Sequence, residues 1–117
     1  MSNVKFSDLV GQKILKVKRK GDESITFHTD RAVYLMYHDQ DCCEDVTIKE
    51  VDNDLQKMIG ARVISAELTT NEGQNGWESF TWSFYKIATD RGDYFTISWL
   101  GESNGYYNEE VDFKKVD

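Results

Sequence analysis

Six side chains able to bind metal or act as nucleophile, base or acid fall within seven residues: His38, Asp39, Asp41, Cys42, Cys43 and Glu44. Nitrogen, sulfur and oxygen donors at this density invite a zinc reading. Structural zinc sites, however, draw on two separated ligand pairs. The chain has only one other histidine, His28, and no other cysteine, so no metal and no cofactor is expected. A thiol nucleophile at Cys42 or Cys43 with His38 as base fares worse. Asp39, Asp41, Glu44 and Asp45 would raise the thiol pKa, whereas catalysis needs it lowered. The plainer reading is a turn that buries one cysteine and lets carboxylates accept backbone N–H bonds. Neighbouring side chains in extended chain point apart, so the two thiols are expected reduced. No catalytic residue is expected elsewhere, because adjacent Glu109 and Glu110 would face opposite ways on a strand, unlike a glycosidase pair.

A second stretch reads as a diverged echo of the first. Gly101-Glu102-Ser103-Asn104-Gly105-Tyr106-Tyr107-Asn108-Glu109-Glu110-Val111 also follows an apolar run and leads into alternating apolar residues. Its two glycines precede a strand-like run rather than a helix N-terminus, so it is no phosphate cradle. Tyr106 and Tyr107 sit where core residues are not expected, and tyrosine is a favoured interface anchor. With the acidic side chains Asp39, Asp41, Glu44, Asp45, Glu109 and Glu110 they form a candidate partner-binding surface. Arg31 and Arg91, each in a Thr-Asp-Arg turn, are a candidate clamp for a small anionic ligand.

Composition narrows the partners. The chain has 117 residues, a net charge of -7 and 13% aromatics, with a mean hydropathy of -0.61. Such a field repels nucleic-acid phosphate and favours a basic protein surface. The aromatic content argues for a folded β protein rather than a disordered acidic tail. Met1–Phe6 lacks the apolar core of a signal peptide and no run reaches membrane-spanning length, so the expected compartment is the cytoplasm, with no membrane partner.

The elements that must position these loops are mostly strands. Alternation predicts a strand over Ile14–Lys20, with Leu15 and Val17 on one face, and a hairpin return over Glu23–Thr29. Ala32–Tyr37 reads as a buried strand and Val46–Lys49 as a short one. Asp52–Ile59, stopped by Gly60, reads as the best helix. Thr69–Gly76 reads as a flexible hairpin tip, Trp77–Ala88 as a strand with Phe80, Trp82 and Phe84 on one face, and Tyr94–Leu100 as its buried partner. Four colinear matches suggest an internal repeat. Gly11–Val17 aligns with Gly60–Ala66 at a shift of 49, and Glu23–Phe27 with Glu78–Trp82 at 55. Thr29–Arg31 aligns with Thr89–Arg91 at 60, and Asp45–Ile48 with Glu110–Phe113 at 65. The expected fold is therefore α+β: a β-rich antiparallel sheet from two fused half-repeats, about 7–51 and 52–113 of a single domain, with one or two short helices.

Tyr37–Val46, with Asp54-Leu55 and Ile59-Gly60 after it, resembles a family of small phage-borne domains of unknown function. Trp99, Gly101 and Ser103–Tyr107, with Glu109 or Glu110 and Val111, are similar to that family's second signature. The resemblance covers roughly Tyr34 to Phe113; it implies a phage or prophage origin and a shared fold, and brings no activity. The expected function is a non-enzymatic binding protein that engages a basic surface on a host defence protein, as an anti-CRISPR or nuclease inhibitor does. The alternatives are a sponge that captures a nucleotide immune signal at Arg31 and Arg91, between the halves or between subunits of a homodimer, and a metal-binding or enzymatic domain built on the Cys-Cys loop.

Overall fold

A computed structural model describes residues 2–105 and 107–116. Its strands are β1 (Ser2–Asn3), β2 (Ile14–Lys20), β3 (Ser24–Thr29), β4 (Val33–Tyr37), β5 (Asp45–Asp52), β6 (Val63–Asn75), β7 (Glu78–Thr89), β8 (Tyr94–Ser103) and β9 (Asp112–Val116). They form two antiparallel sheets, ordered β1-β9-β4-β3-β2 and β5-β8-β7-β6. Among the described residues strands take up 61% and no helix reaches seven residues, so the class is all-β and not the expected α+β.

The helix expected over Asp52–Ile59 is a single 3-10 turn, Leu55–Met58. Leu55 and Met58 are both buried, and a spacing of three is what one 3-10 turn satisfies. Asp54 caps it by accepting from the Gln56 N–H at 3.0 Å. Ile59 is already extended and Gly60 takes φ +86°, so too few residues are left to repay helix nucleation. Phe6–Leu9 forms a matching turn near the N-terminus, and Phe6 and Leu9 are buried.

The same backbone hydrogen bonds occur twice around an isolated antiparallel bridge between Lys13 and Arg62. Gly11 N donates to Val63 O and Gly60 N to Ile14 O; Ile14 N donates to Ala61 O and Val63 N to Gln12 O. Lys13 N and Arg62 N donate to the carboxylates of Asp30 and Asp90, each at 3.0 Å. These pairs stand at the shifts of 49 and 60 read from the sequence. The other two alignments fall out of register: Phe27 occupies the place of Ile87, and Phe113 that of Val51, judged from their cross-strand partners.

The sheets do not divide along the chain. β5 follows β4 but pairs with β8, and β9 follows β8 but pairs with β4. Each half of the chain thus closes the sheet of the other. Between the sheets lies one cluster that includes Phe27, Met36, Tyr85, Phe95, Ile97, Trp99 and Phe113. The Trp99 indole N–H points across it to the Met36 sulfur at 3.2 Å. Burying such side chains stabilises by about 1.5–3 kcal/mol each.

Two local features depart from simple alternation. Bulges between Ile14 and Lys16 and between Val63 and Ser65 add a residue to each strand. They turn Ile14 and Val63 inward and leave Leu15 and Ile64 in solvent, 51% and 58% exposed. The supposed flexible tip is the end of β6, whose pairing with β7 continues to Asn75 opposite Glu78. Only Gly76 and Trp77 turn the hairpin, with Gly76 at φ +67°, as a two-residue loop demands. The absence of proline from the sequence leaves such long ladders uninterrupted.

One buried polar group holds the first corner together. The Gln12 amide donates to the Asp8 carbonyl at 2.7 Å and the Tyr34 hydroxyl at 2.8 Å, and accepts from Thr29 Oγ1 at 2.5 Å. Replacing it by Leu strips partners from buried groups, each loss costing about 1–3 kcal/mol. Gln12→Leu is expected to lower the thermal unfolding midpoint by several degrees, while an exposed control, Lys18→Leu, stays near wild type.

Candidate functional site

The two loops singled out in the sequence meet at one end of the sandwich. β4 ends at Tyr37 and delivers His38; β8 ends at Ser103 and delivers the 104–111 loop. The His38 ring nitrogen Nδ1 lies 2.6 Å from the Glu110 carbonyl. A carbonyl only accepts, so Nδ1 carries the proton and donates. Nε2, buried and without a hydrogen-bond partner, faces Glu44 Oε1 at 4.0 Å. Glu44 in turn accepts from the backbone N–H of Asp41 at 2.6 Å and of Cys42 at 3.2 Å. This carboxylate therefore shapes its own turn from within.

Glu109 plays the corresponding part in the other loop. Its carboxylate accepts hydrogen bonds from the hydroxyls of Ser79 and Ser103 and, at 2.9 Å, of Thr81. Burial alone would raise its pKa, but the donated bonds from Ser103, Ser79 and Thr81 outweigh it and leave the carboxyl below its ordinary value. Gly101 completes the seat: a Cβ there would stand 2.6 Å from the Glu109 backbone oxygen. Only a glycine lets the loop lie this close to β8.

Of the expected partner-binding residues, Asp39, Asp41, Asp45 and Glu110 are exposed and Tyr107 is half-buried, while Glu44 and Glu109 are buried. The last two hold loops in place and offer no carboxylate to a partner. Tyr106 lies outside the described residues. Cys42 and Cys43 are joined in a disulfide, in place of the reduced thiols expected; a bonded pair has no thiolate to offer as nucleophile or ligand. Among the described residues no group of three or more His, Cys, Asp or Glu is placed to hold a metal ion. Arg31 and Arg91 are exposed, but the Arg91 guanidinium donates to the Ile59 carbonyl at 3.0 Å and lies over Gly60, which weakens the anion clamp.

Sequence reasoning missed the outer face of the second sheet. Ser83, Tyr85 and Ile87 of β7 are buried, so the alternate residues Phe80, Trp82 and Phe84 point away from the core. The face they share is the outer one. The signal was the flanking charge: Glu78 and Lys86 lie in phase with them. The Trp82 and Phe84 rings are nearly parallel with centroids 5.8 Å apart, and Trp77 at the hairpin tip is 95% exposed.

A family model described as a domain of unknown function, DUF7448, matches residues 7–113. The chain belongs to that family. No curated protein and no solved structure matches it. No helix among the described residues is long and apolar enough to cross a membrane.

Two outcomes test the anchoring. Glu109, with its folded pKa depressed, contributes stability that is fully present above the unfolded carboxylate value of about 4.3 and is lost as pH falls through the folded value. Glu109→Gln should therefore lower stability at neutral pH and flatten the acid limb of a stability–pH curve. Gly101→Ala forces a methyl group against the Glu109 backbone and should cost about 1–3 kcal/mol, read from denaturant midpoints.

Proposed function

We propose that the protein is a non-enzymatic binding protein whose acidic loop end engages a basic surface on another protein. What carries this reading is the double anchoring of that end. His38 ties the first loop to the Glu110 carbonyl, and Glu109 pins the second loop to β7 and β8 through three hydroxyls. Loops fixed from within lose little freedom on binding, which favours affinity. Outside, Asp39, Asp41, Asp45 and Glu110 stand in solvent, and Tyr107 lines a cavity with Glu110, a charge pattern that steers a cationic partner and fixes its register. The phage origin implied by the resemblance gives the reading a concrete form: occupation of a basic groove in a host defence protein such as a nuclease, in the host cytoplasm.

The experiment is affinity capture with the full chain from a bacterial host lysate, compared with the triple variant Asp39→Asn, Asp41→Asn, Glu110→Gln. Basic proteins recovered by the wild type should be depleted about tenfold by the variant and by raised salt. Recovery that is indifferent to both charge removal and salt would sink the reading.

A further inference from the structure

The outer face of the second sheet presents a second chemistry. Phe80, Trp82 and Phe84 belong to no part of the core cluster, and Leu100 lies directly across from Trp82. Phe80 rests on Gly73 of β6, where a Cβ would meet its ring at 2.4 Å. Acidic residues border this strip. Glu102 is opposite Phe80 on one side and opposite Asp45 on the other, and Asp45, Glu78 and Glu102 line one surface cavity. Glu50 stands opposite Ser98, which is itself opposite Phe84. Lys86 answers Glu67 across the strands, and Lys49, at the irregularity between Ile48 and Glu50 of β5, is exposed.

Two costs are stored here. Like charges directly opposite on neighbouring strands, as at Asp45 and Glu102, destabilise a sheet. A contiguous apolar strip on an outer sheet face, with Phe80, Trp82, Phe84 and Leu100 each half-buried and no described element packed over it, marks an interaction site. Both costs are relieved at once by a partner that brings cations and apolar side chains together. The net charge of -7 disfavours nucleic acid. A second copy laid on this face would bring acidic borders against acidic borders.

We infer that this face docks a basic, amphipathic polypeptide segment, its Lys or Arg side chains meeting Asp45, Glu78 and Glu102 and its apolar side chains lying on Trp82, Phe84 and Leu100. A guanidinium or ammonium over the indole adds a cation–π contact, and Trp77 at the adjoining hairpin tip extends the apolar reach. The inference rests on the reading as a binding protein and adds the partner's chemistry and a sheet face that adjoins the loop end at Asp45.

The test is calorimetric titration of the full chain with short synthetic peptides of alternating lysine and leucine, of lysine and serine, and of glutamate and leucine. The lysine–leucine peptide should bind and the other two should not. The double variant Trp82→Thr, Phe84→Thr should weaken it at least about tenfold, and Asp45→Asn with Glu102→Gln should weaken it and flatten its salt dependence. Lys18→Gln, on β2 of the first sheet, should bind as wild type. Threonine keeps the strand propensity; Leu100→Thr on the neighbouring strand should repeat the loss and serves if the double variant fails to fold. Equal binding of the lysine–serine peptide, or undiminished binding by the threonine variants, overturns the inference. A loss confined to the Asp39→Asn, Asp41→Asn variant overturns it and leaves the loop reading standing. A concentration-dependent dimer that Trp82→Thr dissolves assigns the face to a second copy and overturns it as well. No binding of any lysine peptide by folded wild type overturns both.

Discussion

The reciprocal exchange of closing strands is the constraint on which the architecture depends. β5 completes the sheet built by the second half of the chain, and β9 completes the sheet built by the first. The loops that lead into them, 38–44 and 104–111, must therefore cross from one layer to the other at the same end of the sandwich. Their meeting follows from that crossing. Buried carboxylates and a buried imidazole sit there because each crossing carries backbone polar groups that need partners away from water. Glu44 receives two backbone N–H groups of its own turn, and Glu109 receives hydroxyls from the sheet beneath it.

Charge at this end divides by depth. The inner carboxylates are paid in hydrogen bonds and act as struts, whereas the outer ones face water without such compensation. A charged residue in a loop can thus serve the fold or a partner, and the neighbouring donors decide which. Glu109 and Glu110 illustrate it: one residue apart, one lies under three hydroxyls and the other is exposed. The disulfide between Cys42 and Cys43 belongs to the same turn, with the Cys42 N–H pointing at Glu44.

Much of the strand pattern was legible because burial on one face leaves period-two alternation. Ile14–Lys20 is a strand of those bounds, and the two Thr-Asp-Arg turns make the same hydrogen bonds at Lys13 and Arg62. What was not legible required knowledge of neighbours. A bulge adds one residue and reverses the face of Leu15, and nothing in a single strand announces it. Phe80, Trp82 and Phe84 alternate as core residues do, yet their phase is set by Tyr85 and Ile87, which won the inner face. Leu55 and Met58 fit a helix or a 3-10 turn equally well, and the early extension at Ile59 decided it. Composition could not reveal that Glu44 and Glu109 point inward, since both depend on donors that arrive only on folding.

The strand exchange bears on how the molecule comes into being. β9 lies between β4 and β1, so the first sheet stays incomplete until Asp112–Val116 has been synthesised. Pairings of this sequence separation slow folding. A nascent chain arrested before Asp112 would expose the open edge of β4 and an unfilled core, and premature termination would yield an aggregation-prone species rather than a smaller working domain.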